Sequence, residues 1–143
     1  MNDQREYDEW FRCMVATHCP DLFSEITVKE YRGTEYLEAV VPHPDEKRVV
    51  RLSTYGKELT TYIHTHHCHF DQFDDDNHDE EFLETIDWIR AFLSDKLYIC
   101  TKYDKERIAS TMSTHERGRI QPSKQHRLEV LTYSEEETLL PVK

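Results

Sequence analysis

An alternating run of β-forming residues near the middle of the chain is the feature that most limits its fold. The run interleaves Leu59, Thr61, Ile63 and Thr65 with Thr60, Tyr62, His64 and His66. Because successive side chains of a strand point to opposite faces, this period of two predicts a strand with one apolar face. Three shorter strand-like segments precede it, separated by glycine and proline turns, at residues 26–28, 36–41 and 49–52. Short links between successive strands favour an antiparallel meander.

Apolar residues also repeat at the spacing of an α-helix, on both sides of these strands. The N-terminal repeat predicts a helix at about residues 4–18 and consists of Tyr7, Trp10, Phe11, Met14, Val15 and His18. Asp3 and Glu6 match a capping box at its start. A second helix, at about residues 78–95, is predicted from the stripe Phe82, Ile86, Ile89 and Leu93.

The last third of the chain predicts further strands at residues 97–103, 107–113 and 128–133. The order of helix, four strands, helix and two or three strands is typical of an α+β fold. We therefore predict a mostly antiparallel sheet of about six or seven strands, with an N-terminal helix and one central helix packed on it. A chain of 143 residues suits a single domain, 1–143, with its strands at about 24–70 and about 97–133.

The net negative charge of the chain is concentrated in one segment. Residues 58–89 contain ten Asp or Glu, five of the nine His and no Lys or Arg, whereas residues 1–57 and 90–143 have net charges of −3 and +2. A formal net charge of −11 disfavours nucleic acid as a partner, because phosphate binding needs a basic surface. A surface of one sign attracts an oppositely charged protein and speeds association.

The segment therefore predicts a module that uses an acidic face to hold a basic protein partner. The charged residues of that face are predicted to be Asp74, Asp75, Asp76, Asp79, Glu80 and Glu84. The buried anchors that give affinity are predicted to be Phe70 and Phe73, or alternatively Tyr62, His64 and His66.

The same segment contains the histidine run HTHHCHF at His64–Phe70, which suggests a metal site. On an extended strand, one face would carry His64, His66 and Cys68, and the other His67, His69 and Asp71. Zinc binds imidazole, thiolate and carboxylate groups, so the alternative function is a zinc-binding protein or small metal-dependent hydrolase. We centre that alternative on His64, His66, His69 and Asp71. A third alternative is a structural protein in which the run only lines a contact between two copies of the chain or between domains.

Other sequence features narrow the class of protein. The sequence contains no complete catalytic motif, and we predict no catalytic residue. None of the four cysteines forms a CxxC pair, which excludes a Cys-rich zinc ribbon. The first residues, 1–4, lack a basic apolar leader, and no apolar run approaches the roughly 20 residues of a membrane span. We expect a cytoplasmic protein with reduced thiols and no membrane contact.

Three features follow one another in order: the segment Thr65–Asp71, an acidic-capped helix with Trp88, and a closing strand with Leu131–Ser134. This order resembles small acidic α+β proteins of bacteria, some of which resemble immunity proteins of polymorphic-toxin and contact-dependent inhibition systems. The resemblance spans about residues 24–135. It implies a cytoplasmic inhibitor that neutralises one toxin, often a basic nuclease, by masking its active site. It implies no catalytic residue.

Overall fold

The computed structural model describes residues 3–70 and 77–142, and these residues form an α+β fold. Two helices and nine strands are present in the described residues, and the strands form antiparallel sheets of five and four strands. The predicted fold class is confirmed. The strand count is higher than predicted, because one predicted strand is divided by a turn and an additional strand follows the last one predicted.

The chain divides into two compact units, Met1–Ile86 and Asp87–Lys143. The first unit begins with helix α1, Gln4–His18. Its sheet is a meander in the order β1-β2-β3-β4-β5, with β1 and β5 at the edges. The strands are β1 Glu25–Tyr31, β2 Thr34–Val41, β3 Val50–Ser53, β4 Leu59–Ile63 and β5 His66–Phe70.

Helix α1 begins and ends where the sequence predicts. The side chain of Asp3 accepts a hydrogen bond from the backbone N–H of Glu6 at 2.9 Å, which satisfies a donor that has no partner inside the helix. The helix buries one face, formed by Tyr7, Phe11, Met14 and Val15. Burial of this face supplies most of the stability of the helix, because isolated helices of this length are marginal in water.

A polar network around the buried Thr54 fastens the start of α1 to the end of β3. The hydroxyl of Thr54, which is fully buried, donates to Asp8 at 2.6 Å and accepts from the backbone N–H of Leu37 at 2.9 Å. The side-chain amide of Gln4 donates to the carbonyl of Thr54 at 2.8 Å, and its oxygen accepts from the N–H of Gly56 at 3.1 Å. The helix position is therefore set by directional bonds as well as by apolar contact.

The histidine run is not one extended strand, so the division of its side chains between two strand faces does not hold for the whole run. His64 and Thr65 form a tight turn between β4 and β5, and His64 has a φ of 52°. The two strands pair antiparallel, with Ile63 opposite His66. Histidine is among the residues that enter the left-handed region more readily than most, so the turn forms without the glycine or asparagine that usually marks it.

Helix α2, His78–Leu93, contains the boundary between the two units. In the second unit the strands are β6 Tyr98–Asp104, β7 Arg107–Thr114, β8 Arg127–Leu131 and β9 Glu136–Leu139. They form a sheet in the order β7-β6-β8-β9. A small core on this sheet consists of Cys100, Ile120, Leu128 and Val130. Neither α1 nor α2, the helices of the described part of the chain, is long and apolar enough to cross a membrane.

We predict that Thr54→Val lowers the free energy of unfolding by about 1–3 kcal/mol, because valine keeps the shape but removes the acceptor of the Leu37 N–H. Chemical denaturation measures the change. Thr17→Val is the matched control, since Thr17 is exposed and its hydroxyl only donates to the carbonyl of Cys13 within α1. An equal effect of the two substitutions would contradict the role of the Thr54 network.

Candidate functional site

The first turns of α2 carry the described part of the acidic segment. Glu80, Leu83 and Glu84 are exposed, and their spacing places them on one side of the helix. We call these three residues the acidic helix face. Leu83 is 42% exposed, so this face presents an apolar side chain between two carboxylates. Neither Glu80 nor Glu84 forms an ion pair with the described residues, so both charges are directed to solvent.

Asp79 has a structural contact in addition to its predicted role at the surface. Its carboxylate accepts a hydrogen bond from the indole N–H of Trp10 in α1 at 2.8 Å. The Trp10 ring lies 5.0 Å from the ring of Tyr7 and 5.6 Å from that of His78, measured between centroids. Asp79 therefore helps to fix the start of α2 against α1.

Glu81, on the buried side of α2, is 5% exposed and connects three elements of the first unit. One carboxylate oxygen accepts from the hydroxyl of Tyr7 in α1 at 3.3 Å and from the backbone N–H of Leu59 in β4 at 3.2 Å. The other oxygen lies 3.6 Å from Nδ1 of His78, which is an ion-pair distance but too long for a hydrogen bond. These contacts set the direction in which the acidic helix face points.

Burial controls the ionisation of this cluster. Desolvation raises the pKa of Glu81, and the hydrogen bonds from Leu59 and Tyr7, together with His78, only partly offset it. Desolvation and the neighbouring Glu81 raise the pKa of Tyr7 as well, so the phenol keeps its proton and donates a hydrogen bond to the carboxylate. The cluster serves to orient the helix, and its groups are turned away from solvent.

Several predicted partner-binding residues lie outside the described residues, namely Phe73, Asp74, Asp75 and Asp76, as does the predicted metal ligand Asp71. Phe70 is described, and it is 5% exposed at the end of β5, opposite Leu59. A side chain in that position belongs to the protein core, so we leave Phe70 out of the candidate surface. The exposure of Leu83 was missed at the sequence level, although its spacing from Glu80 and Glu84 was visible.

The turn at His64 separates the histidines that were predicted to act together. His66 lies beside Ile63 on the buried face of the sheet, where desolvation lowers the pKa of its imidazole. His69 points to the opposite face, and His64 is exposed in the turn. The assignment of His64 to the same strand face as His66 and Cys68 is therefore wrong. Within residues 3–70 and 77–142, no three His, Cys, Asp or Glu side chains converge as a metal site.

The exposed face of the β4–β5 hairpin carries a different group, Tyr62, His67 and His69, which we call the histidine face. The rings of His67 and His69 lie 5.1 Å apart, and that of Tyr62 lies 5.9 Å from His67. Nδ1 of His69 is 3.1 Å from Glu58 and 2.9 Å from the hydroxyl of Thr60. Partial burial raises the pKa of the Tyr62 phenol. Once the turn is known, the alternation of side chains along β4 and β5 places Tyr62, His67 and His69 on the same face.

Comparison with protein-family models, with curated proteins and with solved structures gives no significant match. The candidate site is therefore defined by its own geometry. That geometry consists of an exposed acidic helix face, a buried cluster that fixes it, and a separate histidine face on the sheet.

We predict that Glu81→Gln is tolerated, whereas Glu81→Ala lowers the free energy of unfolding by about 1–3 kcal/mol. Glutamine keeps an acceptor for Leu59 and Tyr7 and adds an N–H that faces Nδ1 of His78. Alanine leaves the buried N–H of Leu59 and the hydroxyl of Tyr7 without their acceptor. Denaturant unfolding of the two variants and the wild type measures the difference.

The pH dependence gives a second test of the same cluster. Folding raises the pKa of the Glu81 carboxyl, so this group binds more protons in the folded state than in the unfolded state. The free energy of unfolding therefore falls as the pH rises above the ordinary pKa of glutamate, about 4.3. We expect the wild type to lose stability relative to Glu81→Gln as the pH is raised from that value towards neutrality. A constant difference between the two proteins would show that the raised pKa is absent.

Proposed function

We propose that this protein is a binding module that holds a basic protein partner through the acidic helix face. The observation that carries the proposal is the exposure of Glu80, Leu83 and Glu84 on a helix that Asp79 and Glu81 fasten to the first unit. A fixed surface loses little conformational entropy on binding, so its contacts are converted into affinity efficiently. Leu83 offers an apolar contact at the centre of the charged pair.

The electrostatics of the surrounding segment support the same function. Residues 58–89 contain no Lys or Arg, so no cation of the segment neutralises Glu80 or Glu84. Fields of one sign raise the rate at which an oppositely charged partner associates, and salt screens them over about 8 Å at physiological ionic strength. On sequence grounds Asp74, Asp75 and Asp76 add to this field.

The more specific form of the proposal is a cytoplasmic inhibitor of the immunity type, which neutralises one bacterial toxin. It is supported by the resemblance of residues 24–135 and by the acidic character expected of a protein that masks a basic active site. In that form, the partner is a basic toxin domain, and the acidic helix face covers the residues with which the toxin contacts its own substrate.

The experiment begins with cross-linking of the protein in an extract of its source cells and identification of the linked chain by mass spectrometry. Stopped-flow association with the purified partner then compares the wild type with Glu80→Gln/Glu84→Gln. At about 20 mM salt we expect the double variant to associate about tenfold more slowly, and at about 500 mM salt we expect the two rates to converge.

The matched control is Glu30→Gln/Glu35→Gln, which removes the same number of charges from an exposed cross-strand pair of β1 and β2. We expect its association rate to stay close to that of the wild type. Leu83→Ala should mainly raise the dissociation rate, whereas Val28→Ala, at another exposed apolar residue, should not. Equal slowing by the two double variants would contradict a specific role of the acidic helix face.

Zinc binding at the histidine run is the second candidate, and the closeness of His67 and His69 is the observation that favours it. Two adjacent imidazoles supply half of a tetrahedral shell. Elemental analysis of untagged protein tests this candidate. About one zinc per chain, lost in His67→Ala/His69→Ala and kept in His64→Asn, would support it. Zinc that persists in the double variant would exclude this pair.

A further inference from the structure

A cavity of about 350 Å³ lies on one face of the four-stranded sheet, within the unit Asp87–Lys143. Cys100 of β6 lies opposite Met112 of β7, and Lys102 lies opposite Leu128 of β8, so three strands contribute to the same face. The chain after the turn Arg117–Arg119 forms another wall of the cavity, where the side chain of Ile120 is 3% exposed. The cavity is therefore built by several elements.

The floor of the cavity is apolar and fixed. Cys100, Ile120 and Leu128 are all buried and belong to the small core of this unit. Burial raises the pKa of the Cys100 thiol, so the group is uncharged at neutral pH. Met112 is 40% exposed at the side of the cavity, where its flexible thioether can adapt to an occupant.

Two cations line the same cavity, although the protein as a whole is strongly acidic. Lys102 forms no ion pair with the described residues, and Arg119 pairs with Glu116 at 3.0 Å in a surface contact that solvent screens. An apolar floor with cations at its side complements a molecule that has an apolar body and one anionic end. Sites for small ligands combine an apolar lining with a few polar groups in this way.

We propose that this cavity binds a small carboxylate with a short apolar chain. The carboxylate contacts Lys102 and Arg119, and the chain lies against Ile120 and Leu128. Small-ligand pockets begin at about 300 Å³, so the occupant has the size of a small metabolite and is not a folded protein segment. The site lies in the second unit and is independent of the acidic helix face.

Methionine-methyl NMR tests the proposal, because Met112 lines the cavity while Met14 is buried in α1 and reports on the other unit. The protein is labelled at its methionine methyl groups and titrated with sodium hexanoate, with hexanamide as the uncharged match and inorganic phosphate as an anion without a chain. We expect hexanoate to shift the Met112 signal in a saturable manner and to leave the Met14 signal in place. We expect hexanamide and phosphate to bind at least about tenfold more weakly.

Charge removal completes the test. Lys102→Gln/Arg119→Gln should weaken hexanoate binding by about tenfold or more. Lys105→Gln/Arg107→Gln, which removes two cations at the exposed turn between β6 and β7, should leave the affinity unchanged. The proposal is overturned if hexanoate leaves the Met112 signal unshifted or shifts the Met14 signal as much as that of Met112. It is also overturned if hexanamide or phosphate binds with the same affinity as hexanoate. Unchanged affinity in Lys102→Gln/Arg119→Gln also overturns it.

Discussion

The first unit depends on one buried carboxylate. Glu81 lies at the beginning of α2, yet one of its oxygens accepts hydrogen bonds from the phenol of Tyr7 in α1 and from the backbone N–H of Leu59 in β4. Three elements that are distant in the sequence thus share one acceptor. Burying a carboxylate is unfavourable unless hydrogen bonds replace the lost water, and here they do so with directional geometry. The result is a defined orientation of the helix, obtained at some expense in stability.

That orientation connects the core to the proposed function. Residues of α2 that face inward hold the helix in place, and residues that face outward carry the charge. Glu81 and Glu80 are neighbours in the sequence, but one is 5% exposed and the other lies at the surface. The acidic residues in the first turn of α2 interact favourably with the positive end of the helix dipole, so they also stabilise the start of the helix. Charge in this segment therefore acts on folding, on orientation and on the proposed recognition together.

The sequence predicted the parts of the fold that depend on periodicity. The helix α1 and the strands β1 to β4 were recovered because their apolar residues repeat over several turns or positions. The turn at His64 was missed because no glycine or asparagine marks it, and its left-handed backbone is imposed by the pairing of β4 with β5. Strand β9 was missed because Glu136 and Glu137 have low strand propensity, and pairing with β8 overrides it. The exposure of Leu83 in the candidate site was also missed, because it depends on how α2 packs against the rest of the protein and not on the spacing of residues along the helix.

The hairpin β4–β5 has a consequence for the solubility of the protein. Each edge of a sheet offers unpaired backbone groups to other chains, and proteins protect such edges with charged side chains. At one edge, β1 presents the permanent charges of Glu25, Lys29 and Glu30. At the other edge, β5 presents the polar imidazole rings of His67 and His69, which are both exposed. The two edges of the sheet are thus protected by different chemistry: permanently charged side chains oppose pairing with another chain at β1, whereas exposed imidazole rings are the polar groups at β5.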